Sequence, residues 1–144
     1  MPELIGHDCH FKVSHGCQDN MCSKPSGSTK HSFDWRSNCP LSCALDVLGD
    51  KWSLLIIRDL LMHGTRTYSE FSESPENIST NILAVRLKYL TQLQLIRRVN
   101  PDGSSRGNAY ELTSSGHSLE PVLRAYADWA HENLKNHNPH MVDV

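Results

Sequence analysis

Leu, Ile, Val and Phe occur only five times in the first 36 residues (Leu4, Ile5, Phe11, Val13 and Phe33), so nearly everything that can build a core lies after residue 38. The same leading stretch holds Ser23-Lys24-Pro25-Ser26-Gly27-Ser28-Thr29-Lys30, a linker-like composition, and sustains no apolar periodicity. The expected organisation is a disordered tail over residues 1–38, one folded domain over 39–136 and a frayed polar end over 137–144. No run approaches the length of apolar sequence that spans a bilayer, and no basic stretch leads into an apolar one as in a secretory signal. The expected location is cytoplasmic, with no membrane partner. Five cysteines, an odd number, fit a disulfide framework poorly.

Within the domain the apolar spacing is mostly helical. Pro40 suits a first turn, and Leu41, Ala44, Leu45 and Leu48 then fall at i, i+3, i+4, i+7 before Gly49-Asp50. Cys43 and Val47 form a second stripe on the other side, as on a helix that packs both on its own core and on a partner. Lys51 to His63 is apolar around most of its circumference and should lie centrally, stopping at His63-Gly64. Arg66-Thr67-Tyr68 is β-leaning, and a short helix near Ser69 to Ser74 follows, anchored by Phe71. Ser79 is a good N-cap for a helix from Thr80 to about Gln92. Leu83, Leu87 and Leu90, with Ile82 and Leu93 adjacent, make its buried stripe; Asn81, Ala84, Val85, Lys88 and Gln92 lie opposite. Leu95–Asn100 and Asn108–Leu112 read as a β-hairpin around a tip at 101–107. Thr113 caps a final helix carrying Leu119, Val122, Leu123, Tyr126 and Trp129, in which Pro121 sits early enough to be tolerated or to kink it.

This order, mainly α with a small β-hairpin, is the plan of a winged helix-turn-helix. The net charge of −2 conceals a basic stretch: residues 78–108 hold Arg86, Lys88, Arg97, Arg98 and Arg106 against Asp102 alone. Such a fold suits double-stranded DNA. The helix beginning after Ser79 can enter a major groove, with the free backbone amides around Ser79 and Thr80 aimed at phosphate. Asn81 can pair with adenine N6 and N7, Lys88 adds a groove or phosphate contact, and Ala84 and Val85 complete the face. Arg106 at the hairpin tip can reach a neighbouring groove, while Arg66, Arg97 and Arg98 are placed to neutralise phosphates.

Cys39-Pro40 followed by Leu45-Asp46-Val47-Leu48-Gly49-Asp50-Lys51-Trp52-Ser53-Leu54-Leu55-Ile56 resembles the opening of the HxlR-type transcriptional regulators of bacteria and archaea. Arg66-Thr67-Tyr68-Ser69-Glu70-Phe71 is similar to their R-F-x-E-L segment. Ile78-Ser79 with Leu83, Arg86-Leu87-Lys88, Leu90 and Leu95-Ile96 follows their central pattern, and Tyr110-Glu111-Leu112-Thr113-Ser114-Ser115-Gly116 their Y-x-L-T-x-x-G. The resemblance covers roughly residues 39–130. It implies a homodimeric repressor or activator whose first and last helices form the dimer, which puts Cys43, Val47, Val122, Tyr126 and Trp129 at the interface. Gln94 stands where the family has a glycine, so the helix must end differently or Gln94 must accept a positive φ.

Cys39 sits at a helix N-terminus, where the dipole favours thiolate. Some members of the resembling family sense oxidants or electrophiles at this position, so Cys39 is a candidate redox sensor and a small electrophile, oxidant or other effector a candidate partner; the plain alternative is that it only packs. His7, Asp8, Cys9, His10, His15, Cys17 and Cys22 could make the tail metal-responsive, but their spacing matches no zinc box, so no metal or other cofactor is expected. No nucleophile elbow, P-loop, dinucleotide fingerprint or zinc-protease motif is present, so an enzyme is not expected. A winged-helix module that binds protein instead of DNA is the remaining rival, and the basic stretch weighs against it.

Overall fold

The computed structural model describes residues 35–103 and 108–142. The expectations for residues 1–34 of the tail, its Cys/His cluster and Arg106 therefore fall outside the described residues. The chain divides at Val47 and Leu48 into two compact units.

In the first unit Pro40 opens helix α1 (Pro40–Leu48). The Ser37 hydroxyl accepts the Cys39 amide at 3.3 Å, and the Cys43 thiol donates to the Ser37 carbonyl at 3.4 Å. Arg36 pairs with Asp46, tying the entering strand of chain to the helix. No residue of α1 is buried. The two apolar stripes are both real, but Leu41 and Leu45 are the open ones, at 68% and 51% exposure, while Cys43 and Val47 are half-buried.

The second unit contains α2 (Ser53–His63), β1 (Arg66–Thr67), α3 (Tyr68–Ser72), α4 (Thr80–Gln92), β2 (Ile96–Arg98), β3 (Ala109–Leu112), α5 (Ser114–His117) and α6 (Glu120–Leu134). Helix α2 starts where it does because the Asp50 carboxylate takes the amides of Trp52 and Ser53, at 2.9 and 3.0 Å, and the Ser53 hydroxyl. Burial pushes the Asp50 carboxyl up, but those donors and the nearby Arg86 charge outweigh it and hold the group below the usual carboxylate range. Gly64, at φ 76°, ends α2 with its amide on the Leu60 carbonyl. Ile56, Ile57 and Leu60 of α2 form the core with Phe71, Leu83, Leu87, Leu90, Ile96, Tyr110 and Leu112. The expected central helix is thus central.

Helix α3 starts at Tyr68, one residue earlier than its spacing suggests, because Thr67 and Glu70 form a reciprocal capping box. The Thr67 amide and hydroxyl also hold the Glu70 carboxyl below its ordinary pKa. The sheet is antiparallel in the order β1-β3-β2, with Arg66 opposite Tyr110 and Arg98 opposite Tyr110 on the other side. The β-leaning segment at Arg66 is therefore the third strand of the hairpin's sheet. Asn108 closes the base of the hairpin: its side chain accepts the Asn100 amide at 3.1 Å and donates back to the Asn100 carbonyl.

The final helix is not continuous. Thr113 does cap, accepting the Gly116 amide at 3.1 Å, but it caps only α5. The chain then turns at Ser118 and Leu119 before Pro121 enters the first turn of α6. Proline costs nothing there, because first-turn amides lack helical partners. Leu119 and Leu123 pack on the core, and no residue of α6 is fully buried. At the start of the segment 137–144, where fraying is expected, the His137 and Asn138 amides both donate to the Leu134 carbonyl.

Gln94 takes the left-handed conformation, φ 57°, as the missing glycine requires. Its amide donates to the Thr91 carbonyl and that of Leu95 to the Leu90 carbonyl, the paired bonds that stop a helix before a turn of opposite hand. A side chain in that conformation carries strain that glycine lacks, so Gln94→Gly should raise stability by about 1 kcal/mol in urea denaturation. An unchanged or lower midpoint at fixed protein concentration would show that the Gln94 side chain contributes as much as the strain costs.

Candidate nucleic-acid interface

Helix α4 has an open face and a sealed one. Leu83, Leu87 and Leu90 are buried, whereas Ser79, Thr80, Asn81, Ala84, Val85 and Lys88 are all exposed; Ile82, expected beside the buried stripe, is exposed as well, because it lies about 100° around the helix from Leu83. Its residues, Thr-Asn-Ile-Leu-Ala-Val-Arg-Leu-Lys-Tyr-Leu-Thr-Gln, include no carboxylate. Ser79 occupies the N-cap with extended backbone angles but makes no side-chain cap bond, which leaves its hydroxyl available at the helix entrance. The Tyr68 hydroxyl donates to the Thr80 carbonyl at 2.6 Å, fixing that first turn against α3.

The cations around this face fall into two groups. Arg66, expected at a phosphate, is turned inward: its guanidinium donates to Asp59 at 3.1 Å and to Ser74 at 3.2 Å, and lies over the Phe71 ring. Arg58 reaches the same Asp59 at 2.7 Å and grips Glu76 with two bonds of 2.6 and 3.0 Å. Each lowers the other's cost: the Glu76 carboxylate, then Asp59, hold the Arg58 proton more firmly, and Arg58 pulls the Glu76 carboxyl below its ordinary pKa. Arg86 pairs with Asp50 at 3.3 Å and covers Tyr89, whose phenol burial pushes up. Arg97 bonds Glu111 across the hairpin at 2.7 Å.

Lys88 and Arg98 form the second group. Neither makes an ion pair among the described residues. Arg98 is exposed on β2, its guanidinium 5.9 Å from the ring centre of Tyr110, the residue opposite it in the sheet. The structure thus brings Asn81, Ala84, Val85 and Lys88 onto one face and leaves Arg98 open on the wing strand, but it commits Arg66 to the interior. The anchors Asp50, Asp59 and Glu76 were missed from the sequence. The available signal was Asp59 itself, the one carboxylate in a helix that is apolar around most of its circumference, which requires a buried cation.

Further exposed apolar surface lies on helices outside the helix-turn-helix. Pro121, Val122, Ala125, Tyr126 and Trp129 line an open trough along α6, with Tyr126 at 67% and Trp129 at 56% exposure. Among the described residues no helix is long and apolar enough to cross a membrane, and no group of side chains could hold a metal ion.

A helix pair, α3 and α4, followed by a hairpin and backed by α2, is the architecture of winged-helix DNA-binding regulators of transcription. Residues 47–138 match the HxlR-like helix-turn-helix family, and the chain belongs to that family. The HTH-type transcriptional regulator YodB of Bacillus subtilis is 36% identical over 94 residues, 64% of this chain and 82% of its own. Among solved structures, the transcription-factor candidate PA1607 superposes with a TM-score of 0.62 at 35% identity, covering 76% of this chain and 73% of that one. The reduced form of YodB gives 0.55 at 33% identity, over 66% and 93%. YodB has also been solved bound to a quinone, with a TM-score of 0.54 at 34% identity, over 65% and 99%.

Proposed function

We propose that the chain regulates transcription as a homodimer that places α4 of each copy in the major groove of double-stranded DNA. The observation that carries this is the open face of α4, amide-bearing, small and singly basic, on a helix without carboxylates. Asn81 reads adenine, Lys88 and Arg98 neutralise phosphate, and the amides around Ser79 and Thr80 meet the backbone. The exposed apolar surfaces of α1 (Leu41, Leu45) and of α6 (Val122, Tyr126, Trp129) are what each copy offers its partner. Cys43 and Val47, half-buried already, stand beside that surface on α1 instead of forming all of it. The protein acts in the cytoplasm and is no enzyme on this reading.

Binding is tested by fluorescence anisotropy on a duplex selected by the protein from a random pool. Asn81→Ala should cost about 1–3 kcal/mol on that duplex and little on a scrambled one. Lys88→Ala and Arg98→Ala should weaken both and each reduce the slope of log K against log salt by about 1. Equal loss on both duplexes for Asn81→Ala would take base reading away from it.

One observation supports a thiol-responsive version of the same regulator. Cys39 is a free, half-buried thiol immediately before α1, reachable from solvent and next to the apolar stripe offered to the partner copy. YodB, a relative, binds a quinone. An electrophile or oxidant on Cys39 would then change how two copies meet, and with it how both recognition helices reach one duplex. If diamide or benzoquinone leaves DNA binding unaltered in wild type and in Cys39→Ser alike, the sensor role is lost and Cys39 only packs.

A further inference from the structure

Val85 is the most exposed large apolar side chain of α4, at 62%, and Ile82 on the same flank is 40% exposed. An apolar ridge left in water on an otherwise ordinary amphipathic helix calls for a surface that covers it. Its surroundings specify that surface. Asn81 lies one turn before Val85, about 6 Å along the axis and about 40° around it, so the two point into the same space. Lys88 is on the same face, Arg98 is open on the wing, and α4 has no carboxylate, so the covering surface is anionic around its edges. A side chain of carbon alone can recognise only one feature in a major groove, the 5-methyl group of thymine.

We propose that Val85 is a specificity-determining residue that packs on the methyl group of a thymine within about two base pairs of the adenine held by Asn81, 6 Å along the helix corresponding to about two steps of 3.4 Å. Ile82 closes the flank of that contact. The half-site is therefore read by one hydrogen-bonding residue and one apolar residue a turn apart. This inference rests on the reading of α4 as the DNA-recognition helix.

The test replaces each thymine of the selected duplex, one at a time, by deoxyuridine, which removes the methyl and leaves pairing and hydrogen-bonding groups intact. Full-length wild-type protein should lose about fourfold in affinity at one such position per half-site, the worth of one buried methyl group. Val85→Ala should bind the thymine duplex about fourfold more weakly and show no further loss with deoxyuridine there. As Val85 is exposed, this variant keeps the fold, which circular dichroism confirms. Deoxyuridine without effect at every position, or Val85→Ala keeping the full wild-type sensitivity, overturns the thymine contact while DNA binding stands. Recovery of no duplex by selection overturns the contact together with the reading beneath it.

Discussion

Replacing Asp59 by alanine should lower the unfolding free energy by about 3–5 kcal/mol, the loss typical of breaking a buried ion pair from one side. Asp59 is 5% exposed and accepts from Arg58, Arg66 and the Ser74 hydroxyl at once. It thereby joins α2, the first strand of the sheet and the turn that leads into α4. Without it the Arg66 guanidinium stays largely buried with no countercharge, and Ser74 loses its acceptor. Asp59→Asn, which keeps an acceptor and removes the charge, should fall between alanine and wild type. The same network separates two roles for Arg66. A phosphate ligand would change the salt slope of DNA binding when removed. The internal role leads to the opposite result: Arg66→Ala loses stability and leaves the slope where it was. Urea midpoints at fixed protein concentration, together with anisotropy titrations at two salt concentrations, read both quantities. A stable Asp59→Ala protein, or a shallower slope for Arg66→Ala, would return Arg66 to the interface.

The second large effect is expected at Gly116. A Cβ there would stand 2.1 Å from the Leu95 carbonyl oxygen and 2.8 Å from the Leu112 side chain. That oxygen is already fixed, because it accepts the Thr113 amide at 3.1 Å. The Leu112 side chain belongs to the core and has little freedom to retreat. Gly116→Ala must therefore push α5 off the base of the wing, at about 3 kcal/mol, the upper range for overpacking a tight site. The wing strand β2 begins one residue after Leu95, so the shift should also displace Arg98 and weaken binding to specific and scrambled DNA together. Denaturation midpoints and anisotropy check both halves. Wild-type stability in the alanine variant would mean that the backbone at Leu95 yields easily.

Much of the outward face of α4 was legible because it is set by local spacing. Periodicity of 3.6 separates Leu83, Leu87 and Leu90 from Asn81, Ala84, Val85 and Lys88 whatever the rest of the chain does. Cap positions behave likewise: Ser79 stands at the N-cap of α4, though without a side-chain cap bond, and Thr113 caps α5. The positive φ of Gln94 is one of the two outcomes that the family resemblance implied, since the family has a glycine there. The break between α5 and α6 was less legible, since Pro121 is compatible with both a kinked helix and a fresh start.

Charge partnership is where local reasoning stopped. Arg66, Arg86, Arg97, Arg98 and Lys88 look equivalent in a string of residues, yet three are bound to Asp59, Asp50 and Glu111 and two are open. Those partners lie 7, 36 and 14 positions away along the chain, so which cation stays unpaired depends on the assembled fold. The same holds for α1, where two apolar stripes are written in the sequence and only tertiary burial distinguishes Leu41 and Leu45 from Cys43 and Val47. By itself the sequence determined the helix order, the wing and the outward face of α4, because backbone hydrogen bonding and apolar spacing are short-range. The tertiary structure alone decided which charges and which apolar stripe remain open to a partner, because burial and ion pairing join residues that only the completed fold brings together.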